Sequence, residues 1–417
     1  MNINYKKMDK INIACISEEI AQKNIAGNNI RLIKLLQYFP LGFDFTIFSI
    51  KNKKQGSFNT SKFQNVKVFP IDNLLYHKTK TFFQIRNFVK KILWYFINYY
   101  STLDFLWAFK ACKEIILKKD NFNFVFLQIP SLTNIIYGRY IKKRVNMPII
   151  FDLRDDLINF RNRFGIRILE NWMMKYGSLI VCVTNGSKEK LEQKYPQYKG
   201  KLAYIPNGYD PNDFQIPQYT STSIKRISNI VYTGALYESR LRVIEKLFQV
   251  LATMQNKDNN LANKINFIFY TSNKTLDKLI ESFGLIDIVK RDNIINNDSD
   301  YFSVLQGADY LLSLNMETPY SIPGKLYEYL AVNPNVIHID NNKITEEVLQ
   351  YFPQSQLILI DNIHDLINVF KRIIACPQVE HNPVILPYEY VKKFSRENIA
   401  KKYANLLTKT FLEKNCV

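Results

Sequence analysis

Short, nearly continuous apolar runs alternate with longer stretches of helical period from one end of the chain to the other. Runs that are apolar throughout, rather than apolar at every second position, suit strands of a parallel sheet covered on both faces. In the first half they fall at residues 11–16, 45–50, 66–69, 124–129, 148–153, 179–184 and 202–205. In the second half they fall at 229–233, 265–270, 286–289, 310–314, 336–339 and 357–360. Helical segments separate most of them, so the pattern predicts an α/β protein with doubly wound parallel sheets. Between the two series, residues 207–228 follow Pro206, hold Pro211, Pro217 and the polar run 219–223, and are poor in aliphatics. That composition predicts a linker. It places one Rossmann-like domain at 1–215 and a second at 225–387. The stretch 388–413 is helical with no strand after it, so it adds no further crossover to a sheet and packs back on one of the domains. Two such domains facing a cleft would bind ligand at the carboxyl ends of their strands, which directs attention to the loops that follow strands.

A length of 417 residues fits two domains, and 47% hydrophobic with 22% charged residues excludes a disordered chain. The formal net charge of +19 is unevenly spread: residues 1–200 carry 33 basic and 14 acidic residues, residues 201–417 carry 23 of each. The whole excess belongs to the first half. Five scattered cysteines (Cys15, Cys112, Cys182, Cys376, Cys416) show no metal-binding spacing and read as the reduced thiols of a cytosolic protein. The run 11–16 is too short for the core of a signal peptide and reads as a first buried strand. Asn98, Ser101, Thr102 and Asp104 interrupt the aromatic stretch 92–109, so no membrane-spanning helix is expected.

The most informative segment is Ser321-Ile322-Pro323-Gly324-Lys325-Leu326-Tyr327-Glu328. Pro323 and Gly324 suit the start of a helix, which puts Lys325 in the first turn. A cation there opposes the helix dipole, and an anion held between the ammonium and the backbone N–H groups reverses that penalty; phosphate is the usual choice. Glu328 shares the helical face with Lys325, and its carboxylate can accept from two vicinal hydroxyls, as a ribose presents. The alternative is an exposed Lys–Glu pair at i, i+3. Gly234, directly after the run 229–233, lets the backbone approach a ligand, though a turn of this kind can be purely structural. Arg240 opens the next helix and can fork onto a diphosphate, with Arg242 as a substitute. In the first half, Arg154 and Asp155 end the run 148–153; Asp155 contacts acceptor hydroxyls, takes a proton, or caps the following helix. Gly27, with Asn28 and Asn29, begins a helix after the first strand and could face the ligand. Asp298 and Asp300 read as helix-capping residues rather than a metal pair, and His338 as a core residue. No Ser-His-Asp or Cys-His set can be assembled from loop positions. GxGxxG and GxxxxGK[ST] are also missing, so nicotinamide chemistry and P-loop ATP hydrolysis have no support.

Taken in order, Phe151-Asp152-Leu153-Arg154-Asp155, Val183-Thr184-Asn185, Ile205-Pro206-Asn207-Gly208-Tyr209-Asp210, Tyr232-Thr233-Gly234 and the segment from Ile322 to Ala331 resemble the GT-B glycosyltransferases. The likeness is to the family 4 group that builds bacterial envelope polysaccharides, and covers residues 11 to about 340. It implies a GT-B architecture: two Rossmann-like domains facing a cleft, with a C-terminal helix (388–417, including Phe394-Ser395-Arg396) crossing back to the first domain. It implies a nucleotide-sugar held mainly by the second domain. Glu328 would bind the ribose, Arg240 and Lys325 would neutralise the diphosphate leaving group, and Gly234 and Gly324 would line the donor site. Gly27, Arg154 and Asp155 fall on the acceptor side. The resemblance implies no cofactor and no bound metal. Two departures stand out: Tyr320 occupies the place of a second family glutamate, with Glu317 nearby but out of register, and no histidine lies in the cleft loops of the first domain, whose only one is His77. Retention of anomeric configuration follows from the family, while inversion with Asp155 as base stays open.

The expected partners are a nucleotide-sugar donor and a glycan or lipid-linked acceptor of the cell envelope. Residues 51–150 hold 18 basic and 4 acidic residues, and 82–110 packs aromatic side chains beside Arg86, Lys90, Lys91 and Lys110. Such a stretch suits an anionic membrane surface, or alternatively a core helix with a basic outer side. The expected location is cytoplasmic, peripheral at the inner face of the plasma membrane. No nucleic-acid-binding motif accompanies the charge, so no nucleic acid is expected. Two alternatives remain: a GT-B-type nucleotide-sugar epimerase, and a non-catalytic basic protein that binds membrane or nucleic acid.

Overall fold

Along the strands of the first half, successive residues go to opposite faces of a sheet. Ile13, Cys15, Phe124, Phe126, Ile150 and Val181 join one core cluster. Ala14, Ile16, Val125, Leu127, Phe151 and Ile180 join another. Both faces are covered, which is why these runs are apolar at nearly every position. In the computed structural model the described residues are 10–17, 28–50, 63, 65–71, 105–129, 132–155, 157, 163–213, 227–258, 260–295, 297–315, 319–333, 335–375 and 388–415.

The chain forms two compact units, 1–206 with 396–417, and 207–395. The first holds strands β1 (Ile11–Ile16), β2 (Phe43–Ile50), β3 (Val66–Ile71), β4 (Phe124–Ile129), β5 (Ile149–Leu153), β6 (Leu179–Cys182) and β7 (Leu202–Tyr204) in the order β3-β2-β1-β4-β5-β6-β7. All pairs are parallel. Its helices are α1 (Asn28–Leu36), α2 (Phe105–Leu117), α3 (Leu132–Val145), α4 (Arg163–Tyr176) and α5 (Asn185–Lys194). The second unit holds β8 (Ser228–Thr233), β9 (Ile265–Tyr270), β10 (Val289–Asp292), β11 (Tyr310–Asn315), β12 (Val336–Asp340) and β13 (Gln356–Leu359), ordered β10-β9-β8-β11-β12-β13 and again parallel. Its helices are α6 (Glu238–Gln255), α7 (Thr275–Ser282), α8 (Asp298–Gly307), α9 (Gly324–Val332), α10 (Glu346–Leu349), α11 (Asp365–Ala375) and α12 (Tyr388–Lys393). The last helix, α13 (Arg396–Asn415), returns to the first unit. There Ile399, Ala400, Tyr403, Ala404 and Leu407 are buried in the β1–β4 cluster, and the Tyr403 hydroxyl donates to the fully buried Asp152 on β5.

The expected domain limits differ from the observed ones in two places. The first unit ends at Pro206, not in the span 215–225, because Tyr209 pairs with Ser395 and its N–H donates to the Phe394 carbonyl at 3.1 Å, which fixes 207–210 to the second unit. Phe394 is buried against Tyr327 and Phe352, so 388–395 also stays with the second unit and only α13 crosses back. One strand is shifted as well: 286–289 is apolar but for Asp287, yet the strand is Val289–Asp292. Gly284, at φ +66°, ends α7; its N–H donates to the Glu281 carbonyl and that of Leu285 to the Ile280 carbonyl. This is a Schellman stop whose hydrophobic residue, Leu285, is buried, so the apolar signal there closes a helix and leaves Ile286 69% exposed. Among the described residues no helix is long and apolar enough to cross a membrane.

Candidate functional site

The strand order of the second unit reverses between β8 and β11, so neighbouring connections leave in opposite directions at their carboxyl ends and open a crevice there. The chain supplies that crevice from two sides: Thr233 and Gly234 end β8, and the segment after β11 leads into α9. Gly234 has φ +141°, a conformation that side chains disfavour, and a Cβ built there would lie 3.6 Å from the Lys325 ammonium. The backbone turn therefore sits directly against Lys325.

Pro323 stands at the N-cap of α9, with Gly324 and Lys325 opening the first turn. A Cβ on Gly324 would lie 3.0 Å from the Asn207 side-chain amide nitrogen, so a larger residue there would push that side chain aside. The preceding loop is anchored from behind. The Asn315 amide donates to the Ser321 carbonyl at 2.8 Å and to Asp340 at 3.2 Å. Asp340 is fully buried and also accepts from Asn341 N–H and the Thr345 hydroxyl, at 2.7 and 3.1 Å, with His338 Nε2 3.3 Å away. His338 is a core residue, as expected.

The surface-pair reading of Lys325 and Glu328 does not hold. Among the described residues no ion pair joins them. The Lys325 ammonium turns onto the Thr233 carbonyl (3.3 Å) and hydroxyl (3.4 Å) and lies 5.2 Å from the centroid of the Tyr301 ring. The residue as a whole stays exposed while its charged end is drawn inward. Burial pushes the ammonium's pKa down, the Glu328 charge pulls it up, and the Arg240 charge pushes it down further. Arg240, in the first turn of α6, is thus within electrostatic reach; it donates to the Ala235 carbonyl at 3.1 Å and stacks toward Tyr237. Arg242 donates to Glu238 on the outer surface, at 3.0 Å.

Glu328 accepts from the Tyr301 hydroxyl at 3.1 Å. Burial, then the Glu328 charge, raises the Tyr301 pKa well above the ordinary phenol value, so the group stays a donor at all working pH. Tyr329 locks α9 to β8: its hydroxyl accepts from Thr233 N–H at 3.0 Å and lies 2.8 Å from the Thr233 hydroxyl. Sequence reasoning assigned no role to Thr233, Tyr301 or Tyr329, although Thr233 and Tyr329 lie inside the segments Tyr232-Thr233-Gly234 and Ile322 to Ala331 that it singled out.

Of the remaining expected residues, Arg154 and Asp155 follow β5, where Asp155 is exposed and Arg154 N–H donates to the Ile129 carbonyl at 3.0 Å. Leu157, two residues beyond Asp155, is in a helical turn, and the described part of α4 starts at Arg163. Gly27, His77, Glu317 and residues 82–104 lie outside the described residues. The described end of the aromatic stretch enters α2, where Trp107 and Ala108 are buried in the core. Asn297, rather than Asp298, caps α8, accepting from Ser299 N–H at 3.1 Å.

The chain matches solved structures over nearly its whole length. HepE of Anabaena, solved with UDP and glucose, is 14% identical with a TM-score of 0.62, covering 96% of this chain and 100% of that one. Sucrose-phosphate synthase of Thermosynechococcus elongatus is 14% identical with a TM-score of 0.69, covering 97% and 100%. The lipopolysaccharide outer core galactosyltransferase WaaB is 13% identical with a TM-score of 0.62, covering 96% and 99%. No protein-family model matches the chain, and no curated protein does. At these identities the likeness establishes the fold, which is GT-B: two α/β units, each a doubly wound parallel sheet.

Proposed function

We propose that the protein is a nucleotide-sugar-dependent glycosyltransferase that adds a sugar to a glycan or lipid-linked acceptor of the cell envelope, with retention, at the inner face of the plasma membrane. The observation that carries this reading is the convergence of Lys325, the first turn of α9, Arg240 and Glu328 on the switch point of the second unit. Departure of the sugar leaves negative charge on the nucleotide diphosphate, and fixed cations with helix N–H groups stabilise that charge. Glu328 takes the ribose diol. Arg154 and Asp155 form the acceptor side, and the reaction needs no metal and no cofactor, because the two cations fill the charge-neutralising role. The GT-B neighbours support the reading: HepE is solved with UDP and glucose, and WaaB is a galactosyltransferase.

A thermal-shift panel of UDP- and GDP-sugars tests it. At about 100 times its dissociation constant a ligand stabilises by about 2.7 kcal/mol, a readily measured shift. One or more donors should stabilise the wild type, and Glu328→Ala should lose most of that shift. A wild-type protein indifferent to every nucleotide-sugar would sink the proposal, and conversion of a donor to its epimer without acceptor would replace it with the epimerase reading.

A further inference from the structure

Glu328 and Lys325 are spaced i, i+3 on α9, a separation at which a glutamate and a lysine ordinarily pair. Such a pair would consume both groups. In this protein Tyr301, on α8, stands at both: its ring lies 5.2 Å from the Lys325 ammonium and its hydroxyl donates to Glu328 Oε2 at 3.1 Å. Among the described residues no donor is turned on Glu328 Oε1. We propose that Tyr301 is a positioning residue that holds the Glu328 carboxylate for a vicinal diol and thereby sets a preference for ribonucleotides over deoxyribonucleotides, an inference that rests on the donor site proposed above.

The physical argument has three parts. A glutamate on a half-exposed helical face has three rotatable bonds, and one charged hydrogen bond to a fixed phenol removes most of that freedom before a ligand arrives. The phenol is itself fixed. Tyr301 packs edge-on against Phe302, 5.0 Å between ring centroids, and burial keeps its hydroxyl protonated, so that its proton stays available to Glu328. A donor on one carboxylate oxygen leaves the other to accept, and an acceptor-only group selects ligands that present hydroxyl donors. A ribose presents two adjacent hydroxyls, a 2′-deoxyribose one. Discrimination by a built hydrogen-bond site exceeds what shape alone supplies, because an unmatched partner leaves a charged group unsatisfied.

Tyr301→Phe is the deciding variant, since it keeps the ring against Lys325 and Phe302 and deletes only the hydroxyl. Titrations with UDP, 2′-deoxy-UDP and inorganic pyrophosphate, and with GDP and 2′-deoxy-GDP, give the affinities. The wild type should favour the ribonucleotide by about tenfold, the effect of one hydrogen bond to a charged group. In Tyr301→Phe that ratio should fall toward one while pyrophosphate binding stays within about twofold. In a Glu328→Ala background the same change should cost nothing further in nucleotide affinity. An undiminished ribo-to-deoxy ratio in Tyr301→Phe overturns the inference alone. Equal weakening of all ligands, pyrophosphate included, also overturns it and leaves Tyr301 a packing residue. A wild type that binds neither UDP nor GDP overturns the donor site itself, and the inference with it.

Discussion

Lys325 is a charge that folding makes costly. Its ammonium loses water, faces the Arg240 charge and is only partly relieved by Glu328, so its pKa lies below the ordinary lysine value. The sign of the consequence follows from linkage. Between the depressed folded pKa and the ordinary one, the unfolded chain holds more protons, so this group adds stability as pH rises through that window and withholds it below. A bound diphosphate acts the other way, because it favours the ammonium and is lost as pH rises through the folded pKa. Lys325→Met should therefore melt no lower than wild type without ligand, yet lose about ten- to a hundredfold in nucleotide diphosphate affinity, the range for hydrogen bonds to a charged group. Melting curves with and without UDP or GDP read both quantities; a variant that melts far lower while keeping its affinity would contradict the assignment. Lys325, Glu328, Gly234 and Arg240 were legible in the sequence because each carries its chemistry at a fixed offset from a strand end or helix start. Tyr301 was not, since nothing local distinguishes it from a core tyrosine. Its meaning arises only when the sheet order brings the start of α8 beside α9.

The strands were legible for the reason they are buried: two-sided burial writes an unbroken apolar run. The exception, the strand displaced to Val289–Asp292, shows the limit, because a Schellman stop and a strand both ask for apolar residues after a glycine. The motif Phe151-Asp152-Leu153 also concealed a contact between elements. Asp152 is fully buried within β5, accepting from Gln128 at 3.3 Å and from Tyr403 on α13. That bond, with the apolar face of α13, ties the last helix to the first unit. Tyr403→Phe keeps the packing and strips a buried carboxylate of its hydroxyl donor, a loss of about 1–3 kcal/mol. Urea unfolding should show the transition of the first unit moving to lower concentration while nucleotide binding by the second unit is retained. An unchanged first transition would mean that the apolar face alone holds the helix.

The charge of the molecule is divided as its chain is divided, with the excess in residues 1–200 and balance in 201–417. Among the described residues basic groups cluster on α3 and α4; the aromatic stretch 82–110, to which the sequence pointed, is described only from residue 105 onward. Helix α3 ends in Lys142, Lys143 and Arg144; one cation satisfies a helix dipole, and three in succession go beyond it. Arg139 lies 3.9 Å over the Trp172 ring, and Lys201 donates to the Met174 and Lys175 carbonyls at the end of α4. The Tyr176 phenol registers this crowd of cations: a hydrogen bond from Arg139, then the charges of Lys143 and Lys175, hold its pKa below the ordinary value. Glu170, the acid of α4, is buried and paired with Lys194, so it does little to offset them. Aromatic rings beside clustered cations suit the headgroup region of an anionic bilayer, where each basic residue contributes about 1 kcal/mol at low salt. The full chain should float with vesicles of phosphatidylglycerol and phosphatidylcholine, fail to float with phosphatidylcholine alone, and be released by about 0.5 M salt, where screening reaches a few ångströms. Lys142→Gln combined with Lys143→Gln should weaken the flotation about tenfold or more, through the charge and not through the fold. Equal binding to neutral vesicles would remove the electrostatic reading, and no effect of the double change would remove the end of α3 from the docking surface.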